Sequence, residues 1–196
     1  MNADQEQNLC DTAKTISEHL VYASNYIGTL SGLQHYTREC PDVLGKIGHF
    51  IGTVHSAMWF ELLLKLSHCS DEHRNSTGFP KFFKQLLTYL PEHSELRSKV
   101  KAQKKRFHEL DIQKRVKNWR NQVIAHYTIT DNFDIFRQSN QTSLDEIELL
   151  IDELSKILHC FSVPLLRQHY AVTNLAQYAR EDVDRLVASL KKTTEE

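Results

Sequence analysis

Apolar residues recur at intervals of three and four in a chain of 196 residues that holds only six glycines and four prolines, which leaves little room for anything but helices. A first stripe of Ile16, Leu20, Ala23, Ile27 and Leu30 predicts a helix over about Asp11 to Gln34. Pro41 sits where a helix can begin, and Leu44, Ile47, Phe50, Ile51, Val54, Met58 and Leu62 extend one long central helix to about Leu66. Polar residues from Ser67 to Gly78 mark a loop, and a short helix from Pro80 to Leu90 comes next, closed by Pro91.

A third long helix starts near Glu92. Its apolar positions thin out between Val100 and Phe107, where an exposed or bent stretch is expected, and resume at Leu110, Ile112, Val116, Trp119, Val123 and Ile124. β-Branched and turn-forming residues from Tyr127 to Asn132 end this helix close to His126. Ser143-Leu144-Asp145-Glu146 is a capping box that opens a further helix through about Phe161, and Pro164 bends or interrupts the chain beyond it. A last amphipathic segment covers about Asn174 to Leu190. The expected architecture is an all-α, up-and-down helical bundle of about five to seven helices, in a single domain over 1–190 with a polar C-terminal tail over 191–196.

Hydrophobic content of 40% and charged content of 25% exclude a disordered chain and a membrane-embedded one. The first seven residues are polar and acidic where a signal peptide would be basic and then apolar, and no apolar run approaches the ~20 residues of a membrane helix. A cytoplasmic protein with no membrane partner is expected. Cys10, Cys40, Cys69 and Cys160 show no paired spacing and read as reduced packing residues. His68, Cys69 and His73 lie close in sequence, as do His159 and Cys160, but neither group has a partner at standard ligand spacing, so neither a metal nor any other cofactor is expected.

The net charge of −1 conceals an uneven distribution. Between Arg97 and Arg120 stand ten bases, Arg97, Lys99, Lys101, Lys104, Lys105, Arg106, Lys114, Arg115, Lys117 and Arg120, against Glu109 and Asp111 alone. The segment from Asp131 to Lys156 is acidic in turn. Such a basic run either meets a polyanion, whose phosphates it neutralises, or is a solvated helix balanced by acidic neighbours in the fold.

The run leads into Arg120-Asn121-Gln122-Val123-Ile124-Ala125-His126, which places a guanidinium and an imidazole in one short segment. The planar guanidinium fork matches phosphate oxygens, and histidine, with an unperturbed pKa of about 6.5, gives and takes protons near neutrality. That pairing suits cutting RNA, which carries its own nucleophile in the 2′-hydroxyl: a catalyst has to orient it, move protons and stabilise charge on phosphorus. On an ideal helix the two side chains point about 120° apart and lie about 9 Å apart along the axis, so one copy is a thin catalytic set. Two copies facing each other across a two-fold axis would complete it. Lys114, Arg115 and Lys117 are candidate RNA-binding residues, as are Trp119 and Tyr127, whose rings either stack on bases or pack.

Arg120-Asn121 followed by Ala125-His126 resembles the R-x(4–6)-H motif of the HEPN superfamily, in which a polar residue, often Asn, follows the Arg. Val54-His55-Ser56-Ala57-Met58-Trp59-Phe60-Glu61-Leu62, Leu66-Ser67-His68 and the polar loop after them look like the corresponding region of its AbiU-like abortive-infection branch. The resemblance implies a HEPN-like helical homodimer acting as a metal-independent endoribonuclease. It implies a toxin or phage-defence effector that cleaves tRNA or other cellular RNA, leaving 2′,3′-cyclic phosphate and 5′-hydroxyl ends, with an antitoxin or defence-complex partner. The functional positions carried over are Arg120, Asn121 and His126, lining a composite cleft at the dimer interface. Toxins of the branch regulated through a tyrosine carry it two places after the His; here that place is Thr128 and the tyrosine is Tyr127, so this regulation does not carry over directly. Two other readings remain: a catalytically inactive HEPN-like module that binds RNA or nucleotide and dimerises in a defence complex, and a structural helical protein whose basic face docks an acidic partner.

Overall fold

The computed structural model describes residues 1–73, 75–121, 138–172 and 174–193. The described residues form eight helices and no strand: α1 (Ala3–Glu39), α2 (Pro41–Gly45), α3 (Gly48–Cys69), α4 (Phe79–Tyr89), α5 (Glu95–Glu109), α6 (Asp111–Trp119), α7 (Leu144–Leu166) and α8 (Leu175–Lys192). The expected all-α bundle is the observed one.

The spine of the bundle is α1, whose 37 residues span about 55 Å. It packs against α8, α3, α7 and α4, with Leu9, Ala13, Ile16, Leu20, Ala23, Ile27 and Leu30 buried. The helix starts well before Asp11 because Asn2 caps it: Asn2 Oδ1 accepts from the Gln5 N–H at 2.9 Å, and the Asn2 N–H donates to Gln5 Oε1 at 3.0 Å. This amide version of a capping box carries a polar first turn that has no apolar periodicity to announce it. At Gly28 the backbone of α1 lies against that of α8: a Cβ there would lie 2.1 Å from the Ala176 carbonyl oxygen, so only glycine admits this approach.

Two long helices expected from periodicity are each split in two. The central one breaks at Lys46 and Ile47, between Gly45 and Gly48, where two poor helix formers flank the site. Phe50, expected to face inward, is 62% exposed, and the buried positions of α3 begin only at Leu62. The basic helix breaks at Leu110, which is extended at φ −68° and ψ 102°. Phe107 and Val116 are nine positions apart and would point in opposite directions on one continuous helix. The break rephases the chain so that both are buried.

Phe79, Phe82, Phe83, Phe107 and Phe161 form an aromatic cluster that ties α4 to α5 and α7. Rings meet at 5.2 to 6.5 Å in tilted and edge-on arrangements, the geometry that aromatic quadrupoles favour. The capping box of α7 is formed as expected, with Ser143 Oγ accepting from the Glu146 N–H and Glu146 Oε2 accepting from the Ser143 N–H. The helix runs past Pro164 and stops at Leu166, two residues on, where Arg167 takes the left-handed conformation at φ 53°. Lys191 and Lys192, placed in the tail by composition, belong to α8.

Candidate functional site

At its C-terminal end α6 widens into a π turn at Arg120 and Asn121, a local geometry that recurs at functional sites. Hydrogen bonds to Asn140 and Glu146 fix this end. Trp119 donates its indole N–H to the Asn140 carbonyl at 2.7 Å, and Asn118 Nδ2 donates to Asn140 Oδ1 at 2.8 Å. Arg115 Nη2 donates to Glu146 Oε1 at 2.8 Å, which bolts α6 onto the first turn of α7, and its Nε lies 3.2 Å from Asp111 Oδ2 one turn back in α6. The Arg115–Glu146 bond holds the Glu146 carboxyl below its ordinary range and the Arg115 guanidinium above its own.

The Arg120 guanidinium donates from Nη1 to Asn121 Oδ1 at 2.9 Å, and its Nη2 faces Asp71 Oδ2 at 3.6 Å. The first contact is a hydrogen bond; the second is an ion pair too long to be one, so Asp71 orients the fork without occupying its donors. The Arg120 side chain is 34% exposed and therefore open to a ligand. Lys117 Nζ pairs with Glu72 Oε1 at 3.6 Å, so two adjacent ion pairs strap the loop after α3 to α6. That loop is held in turn: Asp71 Oδ1 accepts from the His73 N–H at 3.0 Å and the Asp71 carbonyl accepts from Ser76 Oγ at 2.6 Å. Gly78 closes it against the end of α3, where a Cβ would lie 2.6 Å from the His68 and Cys69 carbonyl oxygens. On the far side of Asp71, between this loop and α4, lies a cleft of about 400 Å³ with Lys81 and Lys84 on its walls.

The same corner holds two imidazoles. The ring of His68, in the last turn of α3, sits 5.1 Å from that of His19 on α1. Burial, then His68 and Lys65, push the His19 pKa down to about 4. Burial, then Lys65 and Arg120, lower that of His68 against the opposing pull of Asp71 and Glu61. Both rings are therefore neutral at pH 7. Because the unfolded His19 takes its proton near pH 6.5 and the folded one only near pH 4, the unfolded state binds more protons between these values. Stability is expected to fall as pH drops from about 6.5 to 4 and to level off below that. His19→Gln should flatten the profile of melting temperature against pH in this window, and an unchanged slope would show that the buried ring is not its source.

Arg120 and Asn121 are joined; His126 and Tyr127 lie outside the described residues, as does the expected end of the motif helix. Lys114 is exposed, with no carboxylate partner among the described residues. Arg115 and Lys117 are already engaged by Glu146, Asp111 and Glu72, and Trp119 packs against the core. Across the basic run, Lys99, Lys105 and Arg106 also meet Glu95, Glu109 and Glu153, while Arg97 donates to the Leu87 and Leu90 carbonyls. Much of the surplus is thus compensated within the fold, as the solvated-helix reading expects. No motif in the sequence marks Asp71 and His68 as neighbours of Arg120, or His19 as the partner of His68; the one signal is the density of polar and titratable residues around His68 to His73.

Among the described residues no three His, Cys, Asp or Glu side chains converge as a metal site. His159 instead meets the Tyr170 carbonyl at 2.6 Å and stacks on His169, and burial pushes the Cys69 thiol up to about 12. Among the same residues no helix is long and apolar enough to cross a membrane. Residues 39–186, which include the α3 to α6 corner and the whole Arg120-to-His126 segment, match the family model HEPN_AbiU2, described as AbiU2. No curated protein and no solved structure matches the chain.

Proposed function

Because the chain belongs to the AbiU2 family of HEPN proteins, we propose that it is a metal-independent endoribonuclease that cleaves tRNA or other cellular RNA in the cytoplasm as a toxin or phage-defence effector. The observation that carries this reading is the Arg120 π turn: a guanidinium held by Asn121 and Asp71, with donors to spare, whose charge reaches the neutral imidazole of His68. In the proposed reaction the 2′-oxygen attacks phosphorus and the 5′-oxygen leaves. A base removes the 2′-hydroxyl proton and an acid protonates the departing 5′-oxygen, giving a 2′,3′-cyclic phosphate and a 5′-hydroxyl. His126 is assigned these proton transfers and Arg120 the charge that grows on the phosphoryl oxygens, with Asn121 setting the guanidinium plane.

A homodimer supplies a second Arg120 and His126 across the two-fold, which gives both the base and the acid. Of the two lysines of α6, Lys114 has no carboxylate among the described residues to leave before it meets a phosphate, and Lys117 would exchange Glu72 for one. Arg115 and Trp119 act by keeping the turn in place, and Tyr127 is assigned a stacking contact with the RNA. An antitoxin or defence-complex chain is the partner class that restrains the activity.

The test is incubation of the wild type and His126→Ala with total tRNA and a generic single-stranded RNA in excess EDTA, with end-group analysis. Discrete fragments ending in cyclic phosphate, produced by the wild type alone, are expected. RNA binding by both proteins with cleavage by neither would replace the nuclease with the binding module, a reading that the internal pairing of the basic run leaves room for.

A further inference from the structure

A separate cleft of about 600 Å³ opens between the end of α1, the middle of α3 and the start of α7, within the size range of small-molecule sites. Two aromatic side chains from consecutive positions of α3, Trp59 and Phe60, line it, and Phe60 is 43% exposed. Trp59 is half-buried with part of its ring packed on the core, while the Phe60 ring faces water in a concavity, a poor placement unless something flat covers it. Arg38 lies on the α1 side with no carboxylate partner among the described residues, next to the exposed His55. On the α7 side, Thr142 Oγ1 is buried without a hydrogen-bond partner, a condition that a ligand's polar group would relieve. Asp145 is the acid in the lining, and it sits in the first turn of α7, where the helix dipole offsets its charge.

A planar face for a base, a guanidinium for a phosphate and an unsatisfied hydroxyl together describe a nucleotide. The cleft does not close around such a unit. It continues past Gln34, Arg38 and His55 into a neighbouring cleft of about 390 Å³ between α1, α2 and α3, so its shape suits a strand. The cleft is also tied to the Arg120 turn. Thr142 stands two residues after Asn140, which anchors Trp119 and Asn118, and α3 carries both Trp59 and His68, about 13.5 Å apart along its axis.

We propose that this cleft holds one nucleotide of a single-stranded RNA, its base against Trp59 and Phe60 and its phosphate on Arg38, in the strand that presents its scissile phosphate to Arg120. The assignment rests on the RNA-cleaving function proposed for the Arg120 turn. It makes the aromatic pair a determinant of which RNA is held, since stacking strength differs among bases, while Arg38 contributes sequence-independent affinity.

The chain has two tryptophans, so Trp119→Phe leaves Trp59 as the sole reporter. A short 2′-O-methyl RNA oligonucleotide, which has no free 2′-hydroxyl to react, is expected to quench Trp59 fluorescence saturably. Phe60→Ala should weaken binding about 5- to 150-fold, and Arg38→Ala should lower the salt slope of binding by about one. Anisotropy of a labelled oligonucleotide with the two-tryptophan protein and its Phe60→Ala and Arg38→Ala variants repeats the test without Trp119→Phe. Melting temperature checks that the exposed side chains were removed without unfolding. Silence of Trp59 at saturating oligonucleotide, or affinity unchanged in both variants, overturns the proposal. Quenching by free nucleoside monophosphate as tight as that by the oligonucleotide also overturns it, in favour of a mononucleotide site. A wild type that cuts RNA in EDTA while Trp59 stays silent removes the cleft alone. Quenching without cleavage retains the cleft and removes the nuclease.

Discussion

Arg120→Ala is expected to slow metal-independent RNA cleavage by about 10²–10³-fold, the usual cost of removing one preorganised donor to a developing oxyanion. Arg120→Lys is expected to be nearly as slow. The guanidinium is held edge-on by Asn121 Oδ1 at 2.9 Å and Asp71 Oδ2 at 3.6 Å, which orients a planar fork but would leave a lysine ammonium without the second parallel donor. Neither change should unfold the protein. Arg120 is 34% exposed, and an ion pair in such a position contributes at most about 1 kcal/mol. The measurement is the single-turnover cleavage rate in excess EDTA, with melting temperature as the control. Full activity of Arg120→Lys would rule out bidentate phosphate contact as the role of this residue. Asp71→Asn separates orientation from charge, because it keeps the shape of the contact and removes the ion pair, and its expected rate lies between wild type and Arg120→Ala.

The second large effect is on stability. Phe79→Ala is expected to cost about 3–5 kcal/mol, which for a domain of this size lowers the melting temperature by about 6–20 °C. Phe79 is fully buried and its ring meets those of Phe82, Phe83 and Phe107, at 5.2 Å in the last case. Removing it opens a cavity at the junction of α4 and α5. Phe60→Ala provides the contrast: the same substitution at a 43% exposed position should leave the melting temperature nearly unchanged. If the two variants melted alike, the cluster would not be the packed core described. Loss of α5 packing should also lower cleavage, since α5 leads through Leu110 into the helix that ends at Arg120.

The helical class of the bundle, its capping box at Ser143, the loop before α4 and the Arg120–Asn121 candidate pair are all legible in the linear sequence. Each rests on interactions between residues a few positions apart: 3.6-residue periodicity, a side chain reaching its own helix end, a proline at a first turn. For the same reason periodicity makes α1 too short, since its amide cap at Asn2 and Gln5 precedes any apolar stripe, and α3 too deep, since periodicity marks a face without saying what covers it.

The groups that stand beside Arg120 are decided by tertiary structure. Asp71 faces it from the loop after α3, His68 at the end of α3 feels its charge, and His19 of α1 meets His68 in turn, at positions 49 to 101 residues from Arg120 along the chain. Their juxtaposition depends on the packing of α3 between α1 and α6, on the Gly78 turn and on the kink at Leu110. The charge of the basic run is likewise visible as a surplus, but which of its members are spent on Glu72, Glu146 and Glu153 and which stay free is a matter of distance in the folded chain. Local spacing sets the elements and the chemistry they carry; desolvation and ion pairing, which set the protonation and orientation of that chemistry, arise only when distant segments pack.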